Sequence, residues 1–199
     1  GDICNTLDTV FQKRKENLTY YNFIEVFETQ NFDKNKIISN AIELRSLFRD
    51  GGMRATITPH SPYSVSKGLM QLIDKKIDNE DYLCSLHFQE SNHENALFKN
   101  KSGKLFEFLK QNKANPEIWK NRNQSIDILK ELRAKQLLFV HNTYSKKQDV
   151  FDKYYYCTCP KANLYIENKL PDYSIFNLER LCVGTDSLAS NDSLSVWEE

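Results

Sequence analysis

Short apolar, β-rich runs alternate with longer segments of helical spacing along the whole chain. The runs fall at 19–27, 55–58, 82–88, 137–141, 154–159 and 180–184. Each is rich in Tyr, Phe, Val, Ile, Leu or Cys, as strands buried on both faces tend to be. Between them, residues 35–50 place Ile38, Ile42, Leu44, Leu47 and Phe48 roughly on one side. Residues 66–77 open with Ser66 in cap position and carry Leu69, Met70, Leu72 and Ile73. Segments 104–110 and 125–135 repeat the pattern with Leu105, Phe108, Leu109, Ile126, Ile128, Leu129 and Leu132. Strand–helix–strand alternation predicts an α/β fold with a parallel sheet. Right-handed crossovers leave two main solutions, a doubly wound open sheet or a closed barrel.

The polar residues that end the runs separate these two. His60, His87, His141 and Asp186 stand at the ends of four different runs. In a (β/α)8 barrel the strand C-termini converge on one mouth, so chemistry comes from many strands at once. In an open sheet it gathers at one switch point, usually beside a Gly-rich phosphate turn. No G-x-G-x-x-G or G-x-x-x-x-G-K-[ST] occurs here. The expected fold is therefore a TIM barrel. Six runs are clear, and residues 1–5 read as the tail of another, against the eight strands a barrel needs. Residues 193–199 read as a helix cut off after its first turns. The expectation is one domain over 1–199, an incomplete barrel lacking at least the first strand.

Composition narrows the partners. Lys+Arg and Asp+Glu are 27 each, so the net charge is zero. That argues against a nucleic-acid protein held by a basic face, and against an acidic tail. No apolar run approaches the ~18–20 residues of a membrane span. Five cysteines, Cys4, Cys84, Cys157, Cys159 and Cys182, sit in or beside apolar runs. An odd number in such places fits reduced core thiols and a cytoplasmic protein. Cys157 and Cys159 form C-x-C rather than C-x-x-C, and read as small hydrophobes on one strand face.

Several strand-end residues carry candidate chemistry. His87 closes its run as His87-Phe88-Gln89-Glu90. A neutral His suits a transition metal, and a carboxylate three residues on can face the same pocket and shuttle protons. Asp186, in a G-T-D-S-L-A-S-N stretch, is either a metal ligand and proton acceptor or a helix N-cap. Asp192 is an alternative cap that would leave Asp186 free. Pro59 and Pro62 fix the backbone around His60. His141-Asn142 follows an apolar strand. His60 and His141 alternatively serve as supporting hydrogen-bond groups. His93 and Glu94 lie in a polar helical stretch, where His93 reads as surface. The Lys/Asn-rich stretches 99–104 and 112–123 read as solvated faces and loops.

Together these motifs resemble the amidohydrolase superfamily, in its deaminase and chlorohydrolase branch. The matching pieces are HSPYS at 60–64, SLHFQES at 85–91, FVHN at 139–142, CPKAN at 159–163 and GTDSLASN at 184–191. They occur in the family's order and span almost the whole chain. The resemblance implies His87 and Asp186 as metal ligands, Glu90 as proton shuttle and His141 as the group that polarises the attacking water. It implies His60 as a substrate contact, and one divalent metal, Zn²⁺ or Fe²⁺, as cofactor. The implied reaction is hydrolytic deamination of a small nitrogen heterocycle. The chain would run from about the end of barrel strand 2 to just after strand 8.

One departure stands out. The family takes two further ligands from an H-x-H pair on the first strand, and no H-x-H occurs here. Either it lies upstream of Gly1 or it has been lost. Two protein ligands fall short of the usual three, so the isolated segment is expected to be inactive. Strand 54–60 has no lysine to bridge two metals, which favours the mononuclear branch. A non-catalytic barrel with a binding or assembly role is the alternative from another class, and an amide or halide hydrolase is the alternative chemistry. The aromatic helices would cover either the barrel or a subunit interface, as in a homodimer.

Overall fold

The computed structural model describes residues 1–15, 18–28, 33–76, 83–132 and 134–199. Its strands are β1 (Asp2–Ile3), β2 (Tyr21–Val26), β3 (Arg54–Pro59), β4 (Leu83–Phe88), β5 (Gln136–His141), β6 (Tyr155–Thr158) and β7 (Leu181–Val183). Its helices are α1 (Val10–Lys13), α2 (Lys34–Asp50), α3 (Lys67–Lys76), α4 (Asn92–Asn100), α5 (Lys104–Gln111), α6 (Glu117–Lys120) and α7 (Pro160–Glu167). All six expected runs contain a strand, and the tail at 1–5 holds β1. Tyr82, Ile77 and Arg133, assigned to expected elements, lie outside the described residues.

Every strand pair is parallel, and spatial order follows chain order: β1-β2-β3 in one ladder and β4-β5-β6-β7 in the other. No reversal of order occurs, so the sheet has no topological switch point. The ladders meet at a β3/β4 seam. There the His87 amide donates to the His60 carbonyl at 2.9 Å, and the Thr58 hydroxyl donates to the Ser85 carbonyl. This is an incomplete TIM barrel.

Burial explains why these runs are strands. β3 is buried from Ala55 to Pro59, as only a strand covered on both faces can be. One continuous core joins Ile24, Ile57, Leu86 and Phe139 of the strands to Ile38 and Phe48 of α2 and Leu69 and Ile73 of α3. At the start of α2, the Asp33 carboxylate accepts from the Asn35 amide at 2.9 Å. At the start of α3, the Ser66 hydroxyl accepts from the Leu69 amide at 3.3 Å, the expected cap. All five cysteines are free thiols. Cys157 and Cys159 pack with Ala162 in a small cluster of their own. No described helix is long and apolar enough to cross a membrane.

Three expectations change. Residues 125–130 form a 3-10 helix rather than a long α-helix. The Asp127 carboxylate accepts from the amides of Asn123 and Gln124 at 2.8 and 3.2 Å, which winds the chain tightly at its start. Residues 193–199 hold only a 3-10 turn, Val196–Glu198. The stretch 112–123 is not simply a solvated face. Ala114, Ile118 and Trp119 are buried in a second cluster with Leu97 and Phe98, and Arg122 is buried beside them.

Candidate active site

His60, His87, His141 and Asp186 come to one mouth at the C-terminal ends of β3, β4, β5 and β7, with Glu90 two residues beyond β4. The His60 and His87 rings lie 4.7 Å apart between centroids, and His87 and His141 lie 5.4 Å apart. Donor atoms of His87, His141 and Asp186 all lie within 4.8 Å of one another.

Each histidine has its ring fixed from behind. His87 Nδ1 lies 2.8 Å from the His60 carbonyl oxygen, which can only accept. Nδ1 therefore carries a proton, and in the neutral ring the lone pair lies on Nε2. That is how a metal-ligating imidazole is commonly oriented. His141 Nδ1 lies 2.9 Å from the Asn163 side-chain oxygen, and the Asn163 amide donates back to the His141 carbonyl at 3.2 Å. This gives Asn163, the last residue of CPKAN, a physical task. It also frees Nε2 of His141, which sits 3.7 Å from Glu90 Oε1. His60 Nδ1 is held by the hydroxyls of Ser61 and Ser64 at 2.9 and 2.8 Å. Burial, and then the neighbouring His87 and His141, push the His60 pKa down to about 3. His60 is thus a neutral hydrogen-bonding group across the working pH range.

The carboxylates are held differently. Tyr63 donates its hydroxyl to Glu90 Oε2 at 3.2 Å. Asp186 accepts from the Ser190 hydroxyl at 2.5 Å and caps no helix. Asp192, the alternative cap, forms an ion pair with Lys161 instead. Gly184 precedes Asp186 by two residues for a steric reason. A Cβ there would lie 2.9 Å from Cys157 Sγ and 3.4 Å from Cys159 Sγ.

Backbone strain gathers at the same mouth. Gln89, His141, Asn142 and Asp186 adopt φ of 46°, 73°, 57° and 58°. Left-handed backbone at a non-glycine residue is uncommon, and such outliers concentrate at functional sites.

Two neighbours escaped the sequence reading. Glu25, on β2, places Oε1 3.4 Å from His87 Nδ1, and this buried oxygen has no hydrogen-bond partner among the described residues. Burial pushes its pKa up, His87 opposes the shift and Asp186 adds to it. Its signal was present as a lone charge in the middle of an apolar run. Tyr63 belonged to a quoted motif but had been given no role.

The donor set fits a divalent transition metal. Two imidazoles and a carboxylate at this spacing suit Zn²⁺ or Fe²⁺, and the hydrogen bond at Nδ1 leaves Nε2 of His87 as its ligating atom.

Relatives in sequence are deaminases, and the same fold also occurs in a triazine hydrolase, which superposes with a TM-score of 0.64 at 10% identity over 96% of this chain and 42% of that one. The chain is 28% identical over its whole length to an adenosine deaminase of Helicobacter pylori, covering 51% of that protein. It is 24% identical to a 5'-deoxyadenosine deaminase of Methanosphaera stadtmanae over 90% of the chain and 40% of that protein. The crystal structure of Helicobacter pylori aminofutalosine deaminase superposes with a TM-score of 0.76 at 25% identity, over 99% of this chain and 52% of that one. The chain spans about half the length of the relatives it matches or less. The sequence profile of the Amidohydrolase family matches residues 13–199, so the chain belongs to the amidohydrolase family, and its relatives lie in the deaminase branch.

Proposed function

We propose that this chain supplies most of the active site of a metal-dependent deaminase acting on an adenine-type ring. The observation that carries the reading is the meeting of His60, His87, Glu90, His141 and Asp186 at one barrel mouth from separate strand ends. In this reading β1–β7 correspond to strands two to eight of the family barrel. The adenine preference is supported by the adenosine and 5'-deoxyadenosine deaminases among the relatives.

The net reaction adds water at the ring carbon that bears the amine and releases ammonia, leaving an oxo group. His87 and Asp186 would hold the metal, with His141 beside them facing the attacking water. When bound, the metal supplies Lewis acidity that makes hydroxide available near neutral pH. Asp186 accepts the water proton. Glu90 carries a proton to the ring nitrogen and then to the departing amine, steadied by the Tyr63 hydroxyl. His141, its tautomer set by Asn163, orients the attacking oxygen. His60, neutral and fixed by two serines, hydrogen-bonds the ring near the reacting carbon. Five free thiols fit a reducing compartment, and zero net charge fits a small-molecule substrate rather than nucleic acid.

Elemental analysis of the full-length protein tests this. About one equivalent of zinc or iron is expected in the wild type and loss of most of it in His87→Ala and in Asp186→Ala, because removing a ligand or its support weakens such sites ~10–100-fold or more. Ammonia release from adenosine and 5'-substituted adenine nucleosides should follow the metal. A full-length protein that takes up no metal, even when supplied, would sink the reading and leave a non-catalytic barrel.

A further inference from the structure

Glu94 has no exposed surface, and both of its carboxyl oxygens lack a hydrogen-bond partner among the described residues. It sits in the first turn of α4, four residues beyond Glu90. The amides of Gln89 and Glu90 face its carboxyl from the turn after β4, and the Ser125 hydroxyl faces it from the 3-10 helix, all short of full hydrogen-bond geometry. Ser125 Oγ is itself buried without a partner among the described residues. The charge that acts on Glu94 is the Glu90 carboxylate, which has the same sign. Tyr63, from the loop after β3, faces both carboxyl groups.

An ionised carboxylate in such a place would lack compensation for its lost hydration. Burial pushes the Glu94 pKa up to about 8, so the proton stays on at neutral pH. The turn above it is strained, with Gln89 at φ 46° immediately before Glu90. Strained turns persist only where their surroundings over-determine them.

We propose that Glu94 is a positioning residue for Glu90: an uncharged carboxyl seated under the Gln89–Glu90 turn, which holds that turn in place and spares Glu90 a second adjacent charge. The role presupposes the proton-transfer function proposed for Glu90.

Carboxyl-carbon and amide NMR on the chain, titrated from pH 4 to 10, tests the arrangement. The Glu94 carboxyl should titrate near pH 8, with the Gln89 and Glu90 amides shifting at the same midpoint. In Glu94→Gln, an isostere of the neutral acid, that step should vanish while the neutral-pH amide positions persist. In Glu94→Ala those positions should move. A Glu94 carboxyl titrating in the ordinary range, or Gln89 and Glu90 amides indifferent to it, would overturn the proposal.

Thermal melts supply a second readout. The folded-state pKa is raised, so the stabilising protonation is fully present below the ordinary glutamate value of 4.5 and is lost as pH rises through about 8. Wild type should therefore lose melting temperature across that window relative to Glu94→Gln; parallel curves would count against a neutral Glu94. Neither readout needs turnover, so failure of the deaminase reading leaves both interpretable. In protein that does release ammonia, Glu94→Ala should lower kcat by about tenfold or more with little change in KM, and Glu94→Gln should recover most of it. An equal kcat loss in both variants would refute a positioning role.

Discussion

Arg122→Ala is expected to destabilise the fold by about 3–5 kcal/mol, the usual result of removing one partner from a buried ion pair. The Arg122 side chain is 1% exposed and its Glu131 partner 7%. Nε and Nη2 grip the Glu131 carboxylate at 3.1 and 2.6 Å. Nη1 donates to the carbonyls of Pro62, Val65 and Ile118 at 2.6, 2.7 and 3.2 Å. Alanine would leave the Glu131 carboxylate and up to three carbonyls without donors. Pro62 and Val65 flank Tyr63 and Ser64, which hold Glu90 and the His60 ring, so the loss should reach the candidate site. Arg122→Lys should recover little, because one ammonium cannot span the carboxylate and the carbonyls together. Replacing Arg122 and Glu131 together with Met should recover the part of the loss that comes from the orphan Glu131 charge, while the three carbonyls remain without their donor. Denaturant midpoints of the three variants check this. A single alanine variant within about 1 kcal/mol of wild type, the range of an exposed pair, would show that the interaction is not structural.

In the full-length protein, on the deaminase reading proposed above, Glu90→Gln is expected to lower ammonia release by about 10²–10⁴-fold, the usual contribution of a positioned proton-transfer group. Glutamine keeps the shape and can accept the Tyr63 hydrogen bond, but it cannot cycle a proton. Metal content and melting temperature should stay near wild type, since Glu90 is not assigned as a ligand and is only half-buried. Unchanged turnover with metal in place would move the shuttle to another group. Loss of metal in this variant would instead make Glu90 part of the metal's support.

Much of this was legible in the sequence because barrels write their chemistry at strand ends. His60, His87 and His141 each close a run with no charged side chain between Ala55, Leu83 or Leu137 and the histidine, so a titratable residue there is conspicuous. The same logic hid Glu25, whose place inside its run resembles the outward step of an ordinary strand. Glu94 was hidden by its surroundings: Ser91, Asn92, His93 and Asn95 give a stretch that composition alone assigns to the surface. Arg122 was masked likewise by the Asn and Lys around it. Its burial depends on carbonyls some 60 residues distant, which no local pattern encodes. The 3-10 geometry of 125–130 was beyond reach for a different reason. Periods of 3.0 and 3.6 residues barely diverge over so few positions.

The β3/β4 seam has a mechanical side. The His60 carbonyl takes both the His87 amide and the His87 ring, so one oxygen atom links the two ladders and also sets the aim of a candidate ligand. Seam and candidate pocket therefore share their atoms. Anything that grips the free nitrogen of His87 also tightens the joint between the two half-sheets, and anything that pries the joint apart turns the imidazole away from its target. On the metal-site reading proposed above, such coupling makes occupancy audible as barrel stiffness: in full-length protein supplied with zinc or iron, hydrogen exchange at the His87 amide should slow more than at strand centres far from the seam.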